Sequence, residues 1–170
     1  YFIVSLISLS TSTQAQTIPL AWKQQIDAEN ASVLAKSMVV DSDGNIYLGG
    51  SFGDKLYAGS LSLSSITPPT TDIYVTKLDS AGNFLWAKSF ASNGSDYLEG
   101  MTIDLNNNLV ICGNTNGDSL TFDSLTIHRG NTGYYGYVAK LDPNGDCIFV
   151  TKLHSVATVS ILSKTTVNAV

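Results

Sequence analysis

Met38-Val39-Val40-Asp41-Ser42-Asp43-Gly44-Asn45-Ile46-Tyr47-Leu48-Gly49-Gly50 decides how this chain folds, because it returns as Met101-Thr102-Ile103-Asp104-Leu105-Asn106-Asn107-Asn108-Leu109-Val110-Ile111-Cys112-Gly113. Asp41 and Asp104 lie 63 residues apart. The same spacing carries Ile73-Tyr74-Val75-Thr76-Lys77-Leu78-Asp79-Ser80-Ala81-Gly82 onto Gly136-Tyr137-Val138-Ala139-Lys140-Leu141-Asp142-Pro143-Asn144-Gly145. Between the blocks the register slips by one, so that Leu56 and Ser60-Leu61 answer Leu120 and Ser124-Leu125. Surface connections tolerate such a slip. A fixed period with two complete units is the signature of a repeat architecture.

Each unit holds two hairpins. Asp41-Ser42-Asp43-Gly44-Asn45 separates the apolar runs 38–40 and 46–48, and Asp79-Ser80-Ala81-Gly82-Asn83 separates 74–78 from 84–90. An Asp followed three residues on by Gly reads as a type I turn closed by a left-handed residue. Pro143 strengthens the pattern in Asp142-Pro143-Asn144-Gly145, since its ring fixes φ where the turn needs it. Positive φ is therefore expected at Gly44, Gly82, Asn107 and Gly145, Asn being the next best residue for that region.

Four strands per unit follow, at 37–41, 45–50, 72–79 and 83–90, then 100–104, 108–113, 135–142 and 146–153, with short extra strands at 60–63 and 124–127. The strands are apolar on both faces: Ile46 and Leu48 on one, Tyr47 on the other; Phe84 and Trp86 on one, Leu85 and Ala87 on the other. A sheet wetted on one side would alternate more cleanly. Sheets buried on both sides stack face to face, as blades do around a propeller axis. The expected fold is all-β: a fragment of a β-propeller, two four-stranded antiparallel blades plus a stray N-terminal strand, in which Trp22 answers Trp86 within an unpaired or makeshift edge over 20–26.

Asp41-Ser42-Asp43-Gly44-Asn45-Ile46-Tyr47-Leu48-Gly49-Gly50 followed by Asp72-Ile73-Tyr74-Val75-Thr76-Lys77-Leu78-Asp79-Ser80-Ala81-Gly82-Asn83-Phe84-Leu85-Trp86-Ala87-Lys88 resembles the bacterial seven-bladed β-propeller repeat family, the SBBP repeats, over residues 36–153. The second unit departs from the pattern with Asn107 for Gly, Cys147 for an aromatic and Phe149 for Trp. The resemblance implies a secreted or surface-exposed protein of a Gram-negative bacterium, often one of the Bacteroidota, whose long chains commonly end in a sorting domain.

Residues 1–15 read as a signal peptide truncated at its start. An apolar run over 2–9 leads to Thr13-Gln14-Ala15 before Gln16, which suits the small-residue rule of signal peptidase. The run is too short to span a bilayer. The domain reading is then 1–15 leader, 16–35 N-terminal strand and linker, 36–98 repeat 1, 99–155 repeat 2, and 156–170 an incomplete third repeat or tail, where Ser163-Lys164-Thr165-Thr166-Val167 could open a unit with no Asp-x-x-Gly turn after it. Two blades cannot close a propeller, so a partial chain is expected.

Composition limits the chemistry. A net charge of −5, 44% hydrophobic residues and nine scattered Lys and Arg describe a folded chain with no cationic footprint for a phosphate backbone, so no nucleic-acid partner is expected. Cys112 and Cys147 have no metal-ligand spacing and read as two separately buried cysteines. Asp41-x-Asp43-x-Asn45 looks like the opening of a calcium loop, yet Ile46 and Phe52 stand where such a loop needs Gly and an acid, and the turn explains the same residues. His128 and His154 are isolated. Gly49-Gly50 and the Asn-Gly pairs read as strand ends and turns, not phosphate loops. Trp22, Trp86 and the tyrosines offer either a sugar-stacking platform or blade core, of which core is the simpler reading.

No catalytic, cofactor or metal residues are assigned. The expected function is a noncatalytic secreted or cell-surface propeller serving as an adhesion or ligand-binding scaffold for an extracellular glycan or protein. The alternatives are a structural spacer in a long surface protein, or part of a secreted enzyme whose active site lies outside this stretch. Since turns and core absorb the repeated positions, binding should lie where the units differ: 67–72 against 129–135, with 91–99 between them, and Arg129, Tyr134 and Tyr135 in one loop.

Overall fold

The computed structural model describes the backbone of residues 2–4 and all atoms of residues 22–29, 32–130 and 133–153. The remainder of the leader reading, the third-repeat or tail reading over 156–170, and His154 lie outside these residues. Every described element is a strand: β1 Phe2–Val4, β2 Gln24–Glu29, β3 Val33–Val40, β4 Ile46–Phe52, β5 Lys55–Ala58, β6 Leu61–Ser64, β7 Asp72–Leu78, β8 Phe84–Phe90, β9 Asp96–Ile103, β10 Leu109–Thr115, β11 Ser119–Phe122, β12 Leu125–His128, β13 Tyr135–Leu141 and β14 Cys147–Leu153. Among the described residues no helix is long and apolar enough to cross a membrane.

Two antiparallel meanders form the blades, β3-β4-β7-β8 and β9-β10-β13-β14. Their turns repeat one another bond for bond. In each, the Asp amide donates to the carbonyl four residues on and the left-handed residue donates back to the Asp carbonyl, as in Asp41 N to Asn45 O at 2.9 Å and Gly44 N to Asp41 O at 3.1 Å. The Asp carboxylate adds two bonds from the amides at positions two and four beyond it, at Asp41, Asp79, Asp104 and Asp142 alike. The four expected left-handed residues have φ of 81°, 85°, 60° and 85° at Gly44, Gly82, Asn107 and Gly145.

Both blades begin further back than the periodicity suggests. β3 opens at Val33 and β9 at Asp96, ahead of the boundaries at 36 and 99, because each carries a bulge that breaks the alternation. The bulged residues are Lys36 and Glu99, equivalent positions of the repeat, and they meet across the blades in an ion pair of 2.7 Å. Gly49-Gly50, read as a strand end, lies inside β4 opposite the first bulge. There a Cβ on Gly50 would sit 1.8 Å from the Leu34 carbonyl oxygen, so close backbone approach, not chain reversal, demands the glycine.

The short extra strands exist as β6 and β12, but each is the second arm of a hairpin whose first arm, β5 or β11, the sequence reading did not contain. β5-β6 extends a sheet ordered β1-β2-β5-β6. The N-terminal strand β2 is therefore paired on both sides, to β1 and to β5, where an unpaired or makeshift edge was expected.

The main core lies between the blades. Tyr47, Ile73 and Val75 of blade 1 meet Leu109, Ile111, Tyr137 and Ala139 of blade 2, with Phe90 stacked on Phe122 at 4.5 Å. A second core of Ile26, Leu48, Phe52, Leu56, Ala58 and Tyr74 joins the opposite face of blade 1 to the β2 sheet. Each fully buried large side chain contributes roughly 1.5–3 kcal/mol.

Candidate functional site

The Asp-x-x-Gly turns gather at one end of the blades, where their polar groups serve the blade-to-blade joint. Burial alone would raise the Asp41 carboxyl, but bonds from the Asn45 side chain and the Asn45 and Asp43 amides, with Lys77 nearby, outweigh it and hold it below its ordinary value. Asp104 is held far lower still by Lys140, 2.6 Å away, and by Asn108. Lys77, almost buried, donates to Pro143 O at 3.0 Å across the blades. Every acceptor the calcium reading would need on Asp41 is thus engaged by its own turn and by the Tyr47 hydroxyl. Among the described residues no group of three or more His, Cys, Asp or Glu could hold a metal ion.

The two tryptophans act at this same end. Trp22 Nε1 donates to Ser80 O at 3.1 Å, and Trp86 Nε1 donates to Pro143 O at 3.2 Å. Ser80 and Pro143 are equivalent turn positions, one blade apart. Each indole also lies against the left-handed glycine of the turn it caps: a Cβ would come within 2.5 Å of Trp22 at Gly82 and 3.1 Å of Trp86 at Gly145. Each outer strand is thereby joined to the next turn, the structural reading of these rings and not the sugar platform.

The segments in which the units differ converge at the opposite end. Asp96 opens β9 with its amide on Thr71 O at 2.7 Å. Its carboxylate accepts Ser92 N at 2.6 Å and Ser92 Oγ at 2.8 Å. Asp96, Thr115 and Tyr135 form one cross-strand row of blade 2, and Thr115 Oγ1 stands 3.3 Å from Ser92 Oγ. Asp72 opens β7, fully buried, with Oδ2 on Ile66 N at 2.8 Å and Oδ1 without a hydrogen-bond partner among the described residues.

Both acids titrate high. Burial raises Asp96 to about 6, against the bonds from Thr115 and Ser92 and with the Asp72 charge adding to the rise. Burial raises Asp72 as well, opposed by Ile66 and Ser65. A carboxyl near 6 has the strength of a general acid or base, but here both oxygens are capped by Ser92 and the residue is sealed from solvent. The Ser92 hydroxyl in turn meets a carboxylate, Thr115 and the Gly94 amide, and no imidazole among the described residues. The cluster ties 71, 92–96 and 115–117 together beneath a rim.

That rim is polar. Asn93 and Asp118 exchange bonds of 2.9 and 2.7 Å. Arg129 bonds Asp118 through Nη2 and Asn116 O through Nη1 at 2.7 Å. Tyr134 is 44% exposed with its hydroxyl 3.4 Å from Asn116 Nδ2. The tyrosine pair expected to show two aromatic faces is split, since Tyr135 is 7% exposed and packs inward. Strand alternation sends neighbours to opposite sides, so one of them had to turn in.

Residues 21–51 match the family model of the SBBP beta-propeller repeat. The chain carries this β-propeller repeat. No curated protein matches it. The SBBP match runs from the segment holding Trp22 through β2 and β3 into β4, so its phase joins the outer strand of one blade to the inner strands of the next. The tryptophan-to-turn bonds span that same joint. The inserted hairpins β5-β6 and β11-β12 and the loops that build the rim all lie outside the SBBP match, as do the remaining blade strands from β7 on.

The remaining flagged residues stand apart from the rim cluster. His128 is exposed at the end of β12, and its carbonyl accepts Lys152 Nζ at 3.1 Å. Cys112 is buried in β10 while Cys147 is only partly buried in β14, with β13 between them. The expectation of two separately buried cysteines therefore fails at Cys147, which sits at a blade's outer strand. Burial beside Asp123 still pushes its thiol up to about 11, so it is a poor nucleophile. Asp72 and Asp96 were missed as a pair because they occupy non-equivalent places in the repeat, 72 answering Tyr135 and 96 answering Val33.

Proposed function

We propose that the protein is a noncatalytic β-propeller repeat protein, secreted or carried on the outer surface of a Gram-negative bacterium, that binds an extracellular glycan or protein through the rim formed by residues 91–95, 116–118, 129–130 and 133–134. The observation that carries this reading is Tyr134, an exposed aromatic ring beside Asn116, with Asn93, Asp118 and Arg129 bonded into one polar edge. An aromatic face with fixed amide and carboxylate partners suits a sugar or a polar protein surface. Export is supported by the apolar run over 2–9 and the small residues before Gln16.

The test is a screen of the purified chain against surface glycans and extracellular proteins, repeated with Tyr134→Ala and Asn93→Ala. The reading expects roughly a tenfold loss for Tyr134→Ala. Binding indifferent to both changes removes the rim, and turnover abolished by a substitution within 33–153 overturns the noncatalytic assignment. A structural spacer is the second reading, supported by the tryptophan-to-turn joint, which repeats without reference to any ligand.

A further inference from the structure

Two carboxyls at the rim end of the blades carry buried charge with no cation opposing it. Asp41, Asp104, Asp118, Asp123 and Asp146 each lie against a lysine or arginine. Asp72 and Asp96 are both fully buried, and among the described residues no basic side chain acts on either. A charge held out of water is costly unless something neutralises it and satisfies its lone pairs.

Asp72 is the less satisfied of the two. Asp96 has both oxygens on Ser92, and Asp41, where the sequence looks like the opening of a calcium loop, spends its own on its turn. Asp72 accepts the Ile66 amide on Oδ2 at 2.8 Å, which closes the loop 65–72 on itself, while Oδ1 has no hydrogen-bond partner among the described residues. At the neck of that loop Ser65 Oγ and Thr71 Oγ1 are buried and equally unpartnered there. Ser65 comes near enough to oppose the rise of the Asp72 carboxyl, yet it is not in hydrogen-bond geometry with it. Three of the five buried, unpartnered side-chain atoms among the described residues therefore belong to one loop, and such a concentration asks for a bound species.

A water at this neck would satisfy the hydroxyls and leave the charge. A proton on Asp72 would remove the charge and leave the hydroxyls. A hard cation does both. We propose that Asp72 Oδ1, Ser65 Oγ and Thr71 Oγ1 hold a calcium ion whose second charge offsets Asp96. The two acids are joined at this place, for the Asp96 amide donates to Thr71 O at 2.7 Å and the Asp72 charge acts on the Asp96 carboxyl, so a monovalent ion would leave one of them unopposed. Oxygen ligands with no imidazole or thiolate select a hard ion, and loop hydroxyls suit calcium's adaptable shell better than the strict octahedron of magnesium. The described residues hold no cluster of three His, Cys, Asp or Glu, so hydroxyls and water complete the shell. With one ligating carboxylate the affinity falls in the weak class of extracellular modules, on the order of 10⁻⁴–10⁻³ M. So placed, the ion braces loop 65–72 against the start of β9, beneath the rim.

The experiment is thermal unfolding and calorimetric titration of the chelator-treated full chain at constant ionic strength, with the chlorides of calcium, magnesium, sodium or choline. The proposal expects one calcium site and, at about 5 mM calcium, an unfolding midpoint raised by about 3–6 °C. Magnesium and sodium should leave the midpoint where choline does. Asp72→Asn should remove the calcium shift, while Asp79→Asn, at the opposite end of the blades, should keep it. Ser65→Ala and Thr71→Val should weaken calcium binding by roughly fivefold or more without lowering the midpoint in chelator, because neither hydroxyl has a hydrogen bond to lose. That pair separates ligation from folding even where Asp72→Asn does not fold. The absence of a calcium shift overturns the proposal, as does a shift retained by Asp72→Asn, a shift matched by magnesium or sodium, or calcium binding indifferent to both hydroxyl substitutions.

Discussion

Met38 and Met101 occupy one position of the repeat, yet the first is 44% exposed and the second 0%. Both follow the same local rules, pairing with Leu48 and Ile111 in equivalent strands. What separates them is the neighbour. Met101 meets the Gly49 backbone of blade 1, where a Cβ would lie 2.7 Å from its sulfur, whereas the β2 sheet reaches only the outer half of the face on which Met38 lies. In a stacked repeat the sequence of a unit defines a face, and the next unit decides whether that face becomes core.

The most demanding test of this contrast is to truncate both. Met101→Ala should cost about 2–5 kcal/mol in denaturant unfolding, while Met38→Ala should stay within about 1 kcal/mol. Equal costs would show that exposure in the free chain does not separate the faces.

The contrast also shows why some features could be read from residues alone. The blade strands, the turns and their left-handed residues were legible because each turn is closed by its own Asp and Gly or Asn, a local cause. The hairpins β5-β6 and β11-β12 were half visible: Leu56 and Leu120 alternate with polar residues, but four-residue arms give too little period to stand out. The starts of β3 and β9 were hidden by the bulges at Lys36 and Glu99. Burial of Tyr135 beside exposed Tyr134, and the joining of Asp72 and Asp96 near one end, depend on packing between units, which no single repeat encodes.

The second test concerns the buried acid at the interface. Because Asp96 is raised to about 6 in the folded chain, against an ordinary value near 4, its contribution is complete below about pH 4. It is then lost as pH rises through 6, on the order of 2 kcal/mol. The lowered carboxyls at Asp41, Asp79 and Asp104 work the other way, adding stability above pH 4 and losing it on acidification. Asp96→Asn should therefore remove a downward slope between pH 4 and 6.5 in stability measured by urea unfolding. An unchanged slope would mean the carboxyl is solvated in solution.

Third, the turn glycines grade by what lies over them. Gly82 and Gly145 share a φ of 85°, but the Trp22 ring lies closer to the first than the Trp86 ring does to the second, while Gly44 faces only Ser80 Cβ at 3.6 Å. Alanine should cost about 2–3 kcal/mol at Gly82, somewhat less at Gly145, and about 1 kcal/mol at Gly44, where backbone strain acts alone. A flat series would remove the tryptophan from the joint.

The smallest effect expected is that of Trp86→Phe, which deletes the bond to Pro143 O and keeps most of the ring, at about 1 kcal/mol. Phe149 already stands at that repeat position in blade 2.

The central claim is that β2 stands to blade 1 as β8 stands to blade 2, and nuclear Overhauser contacts in the chain in solution test it most directly. The account predicts strong contacts from the Trp22 ring to the Gly82 Hα protons and from the Trp86 ring to those of Gly145, both glycine signals shifted upfield by the indole above them. Contacts at Gly145 with none at Gly82, or a Trp22 ring found against residues other than the Ser80–Gly82 turn, would contradict it.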